Sequence, residues 1–225
     1  MKIAFLGDSI TFGYGLADRA DRFAAVYCKR TGDDEQNLGI TGTLVARAGL
    51  SRGDGTAFID RAPQMAGADI AVIFGGTNDY FWSDTPIHGD APDVRYFADA
   101  VDALCRIAAS QRPASRNLLV TPYPHHGIGN FAGGEHFKQS SEHDTTAVNF
   151  VGHTLADYAA VLVETGARHG IPVLNLHAAM PHGTGFDWRV HTSDGCHPNP
   201  AGHLRLADTI GAAIDKIKRR TSDAF

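Results

Sequence analysis

The sequence predicts an α/β fold: a parallel sheet with helices on both faces. Three observations carry this. Short runs of Ile, Val, Leu and Phe recur at residues 3–6, 70–74, 118–120 and 173–176, each bounded by turn residues. Runs of that length and composition read as strands buried on both faces. Stretches of helical period lie between them, and strands that alternate with helices imply parallel pairing through crossovers. In such sheets ligands bind at the carboxyl ends of the strands, so functional residues are expected just after each apolar run.

Taken in order, residues 3–6 form the first strand and lead into the turn Gly7-Asp8-Ser9-Ile10-Thr11. The heptad Asn37-Leu38-Gly39-Ile40-Thr41-Gly42-Thr43 ends a short second strand. The third strand, residues 70–74, runs into Gly75-Gly76-Thr77-Asn78-Asp79. Residues 80–92 and 123–149 are rich in Gly, His, Ser, Asp and Thr without a sustained period, and are expected as loops over the binding face. Val94, Phe97, Val101, Leu104 and Ala108 share one helical face, as do Val151, Leu155, Tyr158 and Leu162. A last helix carries Ala207, Ile210, Ile214 and Ile217 on its apolar face, with Asn199 as N-cap and Pro200 in the first turn. Lys216, Lys218, Arg219 and Arg220 near its end complement the helix dipole.

The 225 residues suit one full-sized domain, expected to span residues 1–225. Lys and Arg total 20 against 25 Asp and Glu, a net charge of −5 that disfavours nucleic acid and anionic membranes as partners. Cys28, Cys105 and Cys196 are odd in number and far apart, which suits a reducing compartment better than a disulfide framework. The first apolar run is too short for a signal sequence or a membrane span. A cytoplasmic location is therefore expected, and the sequence indicates no oligomeric state.

Four blocks could do chemistry. Ser9 sits on a strand-to-helix turn, where the N–H groups of a following helix favour developing negative charge; taken alone, Asp8 or Ser9 equally reads as a helix cap. Asn78 offers a carboxamide at a strand end, and Gly42 a backbone N–H that no side chain obstructs. Asp194 and His197, three apart on a loop, can converge so that the carboxylate holds one imidazole nitrogen while the other takes a proton from a serine. A metal reading of His191, Asp194, Cys196 and His197 is weaker, because the set lacks the paired spacings of zinc sites.

Together these blocks resemble the SGNH/GDSL hydrolase family over nearly the whole chain, with Ser9, Gly42, Asn78, Asp194 and His197 in order. Ile10 stands where the family usually has Leu. The resemblance implies a flavodoxin-like three-layer α/β/α fold on a five-stranded parallel sheet. It also implies a Ser9, His197, Asp194 triad and an oxyanion hole from the N–H groups of Ser9 and Gly42 with the Asn78 side chain. The implied substrate is a small-molecule ester, with no metal or organic cofactor. Thioesterases, lysophospholipases, arylesterases and acyltransferases share these motifs, and a non-catalytic binding domain on the same scaffold is the alternative from another class. A nucleotide-binding module fits poorly, since no phosphate-binding Gly-rich motif is present. Phe12, Tyr14, Tyr80, Phe81, Trp82 and Trp188 are the aromatic residues near the site. Of these Tyr80, Phe81, Trp82 and Trp188, with Asp8 and Asp79, are the substrate-pocket candidates; Asp79 reads as a structural hydrogen-bond partner rather than a second catalytic acid. Most of the eleven histidines other than His197 need no catalytic role, and those at 125, 153, 169 and 203 are expected in solvated loops or as helix ends.

Overall fold

The computed structural model describes residues 1–48, 55–125, 148–179 and 186–222, with the side chains of residues 188, 221 and 222 excepted. Five strands form one parallel sheet: β1 (Lys2–Gly7), β2 (Asp34–Gly39), β3 (Ile70–Phe74), β4 (Asn117–Val120) and β5 (Val173–Leu174), in the order β2-β1-β3-β4-β5. This is the flavodoxin-like order, whose switch point lies between β1 and β3.

The inner strands β1, β3 and β4 are mostly apolar because both their faces are covered. Successive side chains point to opposite faces, and the two cores divide accordingly. Ala4, Leu6, Ala71, Ile73 and Leu119 pack with residues of α3 (Phe58–Arg61), α5 (Phe97–Gln111) and α6 (Leu155–Arg168). Their neighbours Ile3, Phe5, Ile70, Val72, Phe74, Leu118 and Val120 pack with α2 (Phe23–Thr31) and α9 (Pro200–Ser222). The edge strand β2 is only half-buried, which is why its sequence is polar.

Short helices complete the rim: α1 (Ser9–Phe12), α4 (Thr77–Trp82), α7 (Leu176–Ala179) and α8 (Trp188–His191). Several expectations need correction. Residues 80–82 are the last turn of α4, not loop, because Gly76 takes φ 109° and lets a helix start directly from β3. β5 stops at Leu174, and Leu176 belongs to α7. Val94 and Val151 precede their helices rather than joining them. The cap of α9 stands as expected, with Asn199 accepting the Gly202 N–H at 3.0 Å. Within the expected long loop, residues 126–147 lie outside the described residues. Among the described residues no helix is long and apolar enough to cross a membrane.

Candidate active site

Ser9 is the first residue of α1, at the carboxyl end of β1. Its N–H, like those of any first helical turn, has no carbonyl one turn back to bond. The Asp8 side chain caps this turn, accepting the Ile10 N–H at 2.9 Å, and Gly13 ends it after four residues in a left-handed conformation. Ser9 is thereby fixed on a tight, buried corner.

The loop between α8 and α9 meets it from the other end of the chain. Thr192 and Pro198 bridge across the loop and close it. Asp194 Oδ1 accepts the N–H groups of Cys196 at 3.0 Å and His197 at 2.7 Å, while Oδ2 lies 2.6 Å from His197 Nδ1. Nε2 of the same ring lies 3.0 Å from Ser9 Oγ. With the carboxylate on Nδ1, that nitrogen carries the proton and Nε2 is left to accept the Ser9 hydroxyl. Burial pushes the Asp194 carboxyl up, but the bonds from the His197 ring and backbone outweigh it and hold the group at about 2. It is an anion at any physiological pH. Tyr123, just after β4, donates its hydroxyl to the Cys196 carbonyl and braces the loop from beneath.

The opposite wall comes from β2 and β3. Asn78 Nδ2 donates to the Thr43 carbonyl at 2.9 Å, which ties α4 to the turn containing Gly42, itself at φ 76°. The next residue, Asp79, grips the same segment, its two oxygens accepting the Val45 and Ala46 N–H groups at 2.9 and 3.0 Å. Arg61, at the end of α3, reaches beneath this wall. Its guanidinium donates to the carbonyls of Leu38 and Gly7 and to Thr43 Oγ1 at 2.8 Å, joining the ends of β1 and β2 to the Gly42 turn. Burial raises the carboxyl of Asp8 to about 6 and that of Asp79 to about 7, against the N–H bonds that each accepts.

Ser9, Asp194 and His197 are thus brought into one hydrogen-bonded line, and Asn78 is joined to the Gly42 turn. The pocket candidates lie differently. Asp8 and Asp79 are buried, with their carboxyls on backbone N–H groups. Tyr80 and Phe81 are also buried, in the core against Tyr158 and His125, because the short helix turns them under the sheet end instead of over it. Trp82 is half-buried against the same core. The Trp188 side chain lies outside the described residues. Two histidine expectations fail in the same way. His125 packs between Phe81 and Tyr123, and His203 is fully buried, its Nδ1 accepting the Phe23 N–H at 3.2 Å. Arg61 and Tyr123 had no local signal, since a buried arginine and a tyrosine in a polar loop look ordinary in sequence. Tyr14 had one, its place five residues after Ser9, and its ring now packs on His197 with centroids 4.6 Å apart.

Comparison with known proteins gives this arrangement its class. The GDSL-like lipase/acylhydrolase family model matches residues 5–205, and the chain belongs to that family. Among curated proteins it is similar to an acetylxylan esterase of Xylanibacter ruminicola, 28% identical over 232 residues. That match covers 95% of this chain but only 43% of the relative, so the chain spans less than half of that protein's length. It is also similar to the isoamyl acetate-hydrolyzing esterase 1 homolog of Mus musculus, 25% identical over 225 residues, covering 96% of this chain and 82% of the relative. A solved structure of a protein from Lactobacillus plantarum superposes with a TM-score of 0.77 at 27% identity, over 96% of both chains. The fold is also that of a carbohydrate acetylesterase from Sinorhizobium meliloti, with a TM-score of 0.68 at 14% identity, covering 96% of this chain and 99% of the other.

Proposed function

We propose that the chain acts as one hydrolase domain that cleaves small acyl esters, acetate esters of carbohydrates or other alcohols first among them, through an acyl-enzyme on Ser9. The observation that carries this is the continuous line from Ser9 Oγ to His197 Nε2 at 3.0 Å and from His197 Nδ1 to Asp194 at 2.6 Å, closed across 188 residues of sequence. Both curated relatives bear names of enzymes that act on acetate esters, which supports the choice of acyl group.

Ser9 Oγ bonds to the ester carbonyl carbon as its proton passes to His197 Nε2. The carbonyl oxygen becomes an oxyanion, met by the N–H groups of Ser9 and Gly42 and by Asn78 Nδ2. Asp194 keeps the imidazole in the accepting tautomer and stabilises it once it is positive. His197 then passes the proton to the leaving alkoxide oxygen, and the carbon–oxygen bond to the alcohol breaks. Water attacks the acyl-enzyme with His197 again as base, releasing the carboxylic acid and restoring Ser9. Side chains and backbone N–H groups supply every step.

A fluorophosphonate probe tests the reading. The native chain is expected to label and Ser9→Ala is not. A folded native protein that stays unlabelled overturns it, and equal labelling of both places the nucleophile elsewhere.

A further inference from the structure

Tyr14 is large, aromatic and 45% exposed, yet it is not loosely held. Its backbone N–H donates to the Ser9 carbonyl at 2.9 Å, so the residue is anchored to the proposed nucleophile itself. Its ring lies against the His197 imidazole, with centroids 4.6 Å apart and planes tilted by 49°. One side of the ring therefore touches the proposed general base while the rest faces solvent.

The chemistry of ester cleavage says which half of a substrate meets that ring. The oxyanion must turn toward Asn78 and the Gly42 turn, and the acyl group stays bonded to Ser9. The leaving oxygen must come within hydrogen-bond reach of His197 Nε2, because that nitrogen delivers its proton. The alcohol half of the ester is therefore held on the His197 side, where Tyr14 stands open. A flat ring offers a wide face to another ring and little to a flexible chain.

Resting on the acyl-enzyme reading above, we propose that Tyr14 is the leaving-group platform, stacking on ring-shaped alcohols such as a pyranose and so selecting the alcohol half of the ester. The acyl half and the acyl-enzyme do not touch it.

The test uses phenyl acetate, an acetylated methyl xyloside and ethyl acetate, which all give the same acetyl-enzyme. For each ester, kcat/KM of a variant relative to the native protein cancels the ester's own reactivity and reports acylation. Tyr14→Ala is expected to lower kcat/KM roughly three- to tenfold for the two ring-bearing esters, the range of an aromatic stacking contact, and by less than about twofold for ethyl acetate. Tyr14→Leu, which keeps apolar bulk against the imidazole without a flat face, falls with Tyr14→Ala, whereas Tyr14→Phe stays close to native. Decay of the acetyl-enzyme, followed by mass spectrometry in a single turnover, is unchanged in all three variants. An equal fall for all three esters with slower acetyl-enzyme decay overturns the proposal and makes Tyr14 a support for His197 only. Unchanged kcat/KM throughout overturns it as well. Failure of the native protein to label with a fluorophosphonate removes the acyl-enzyme and this proposal together, whereas normal labelling with either kinetic outcome removes the Tyr14 proposal alone.

Discussion

At the scale of single residues, the proposed mechanism separates groups that would meet the substrate from groups that hold them in place. In the proposed mechanism Asn78 does both: one amide hydrogen binds the Thr43 carbonyl at 2.9 Å, and the other is assigned to the oxyanion. Asn78→Ala is expected to lower kcat by roughly 10²–10³, the cost of deleting one side-chain oxyanion donor, with little change in KM. Steady-state kinetics on an aryl acetate checks this, and an equal change in KM alone contradicts the assigned role. Arg61 acts only through others. Arg61→Met leaves the Gly7 and Leu38 carbonyls and Thr43 Oγ1 without their shared donor in a buried place. Destabilisation of about 2–4 kcal/mol is expected from such buried groups losing a charged donor, measured by urea unfolding. Because the groups released lie at the ends of β1 and β2, kcat at a permissive temperature should fall further than KM rises. Arg61→Lys, which can reach one of the acceptors but not all of them, is expected to lie between.

At the scale of elements, the site depends on how closely α1 lies on the end of β2. A Cβ built on Gly39 would stand 2.4 Å from the Phe12 backbone nitrogen and 2.8 Å from the Thr11 carbonyl carbon. Both are main-chain atoms of the helix that begins with Ser9, so no side-chain rotation relieves the clash. Gly39→Ala is therefore expected to destabilise by about 1–3 kcal/mol, as overpacking does, and to slow fluorophosphonate labelling of Ser9 by displacing α1. Native labelling kinetics in a destabilised variant would show that the helix tolerates the shift. The same packing explains what was legible in the sequence. Central strands are covered on both faces, so β1 and β3 are written as unbroken apolar runs, and the chemistry-bearing residues follow them directly. Helix α2 was missed because its buried residues, Phe23, Ala24, Tyr27 and Cys28, are interleaved with half-exposed ones and Arg22 before it supplies no side-chain cap. The direction of Tyr80 and Phe81 was equally hidden. Whether an aromatic residue after a strand faces the cleft or the core depends on where α5 and α6 pack, which no local spacing encodes. Tyr14 was visible as a neighbour of Ser9, but its contact with His197 requires the two ends of the chain to meet.

At the scale of the whole molecule, the buried ionisable groups beneath the site set opposing demands on pH. Burial raises the carboxyls of Asp8 to about 6 and Asp79 to about 7, from an ordinary value of 3.8. Between 3.8 and those values the native state binds more protons at these sites than the unfolded chain, so their contribution to stability falls as pH rises. His203 works in the other direction. Burial, with His197 nearby, lowers it from 6.5 to about 4, so its contribution is present above 6.5 and is lost as pH falls toward 4. Asp194, held at about 2, contributes stability that is present above 3.8 and is lost as pH falls through 2. Two falling contributions against one rising one leave a net decline from pH 4 to 7 from this group, each full proton being worth about 1.4 kcal/mol per pH unit. The exposed charges add their own dependence, so the informative measurement is a difference between variants. Thermal melts of the native protein and Asp79→Asn, taken from pH 4 to 7, are expected to converge as pH rises. The variant keeps one acceptor oxygen and so loses one of the two bonds from the Val45 and Ala46 N–H groups at every pH, but it escapes the cost of ionising a buried carboxyl, which grows only in the native protein. Parallel curves over that range would mean that Asp79 stays an anion throughout, held by its two N–H donors, and that burial does not control it.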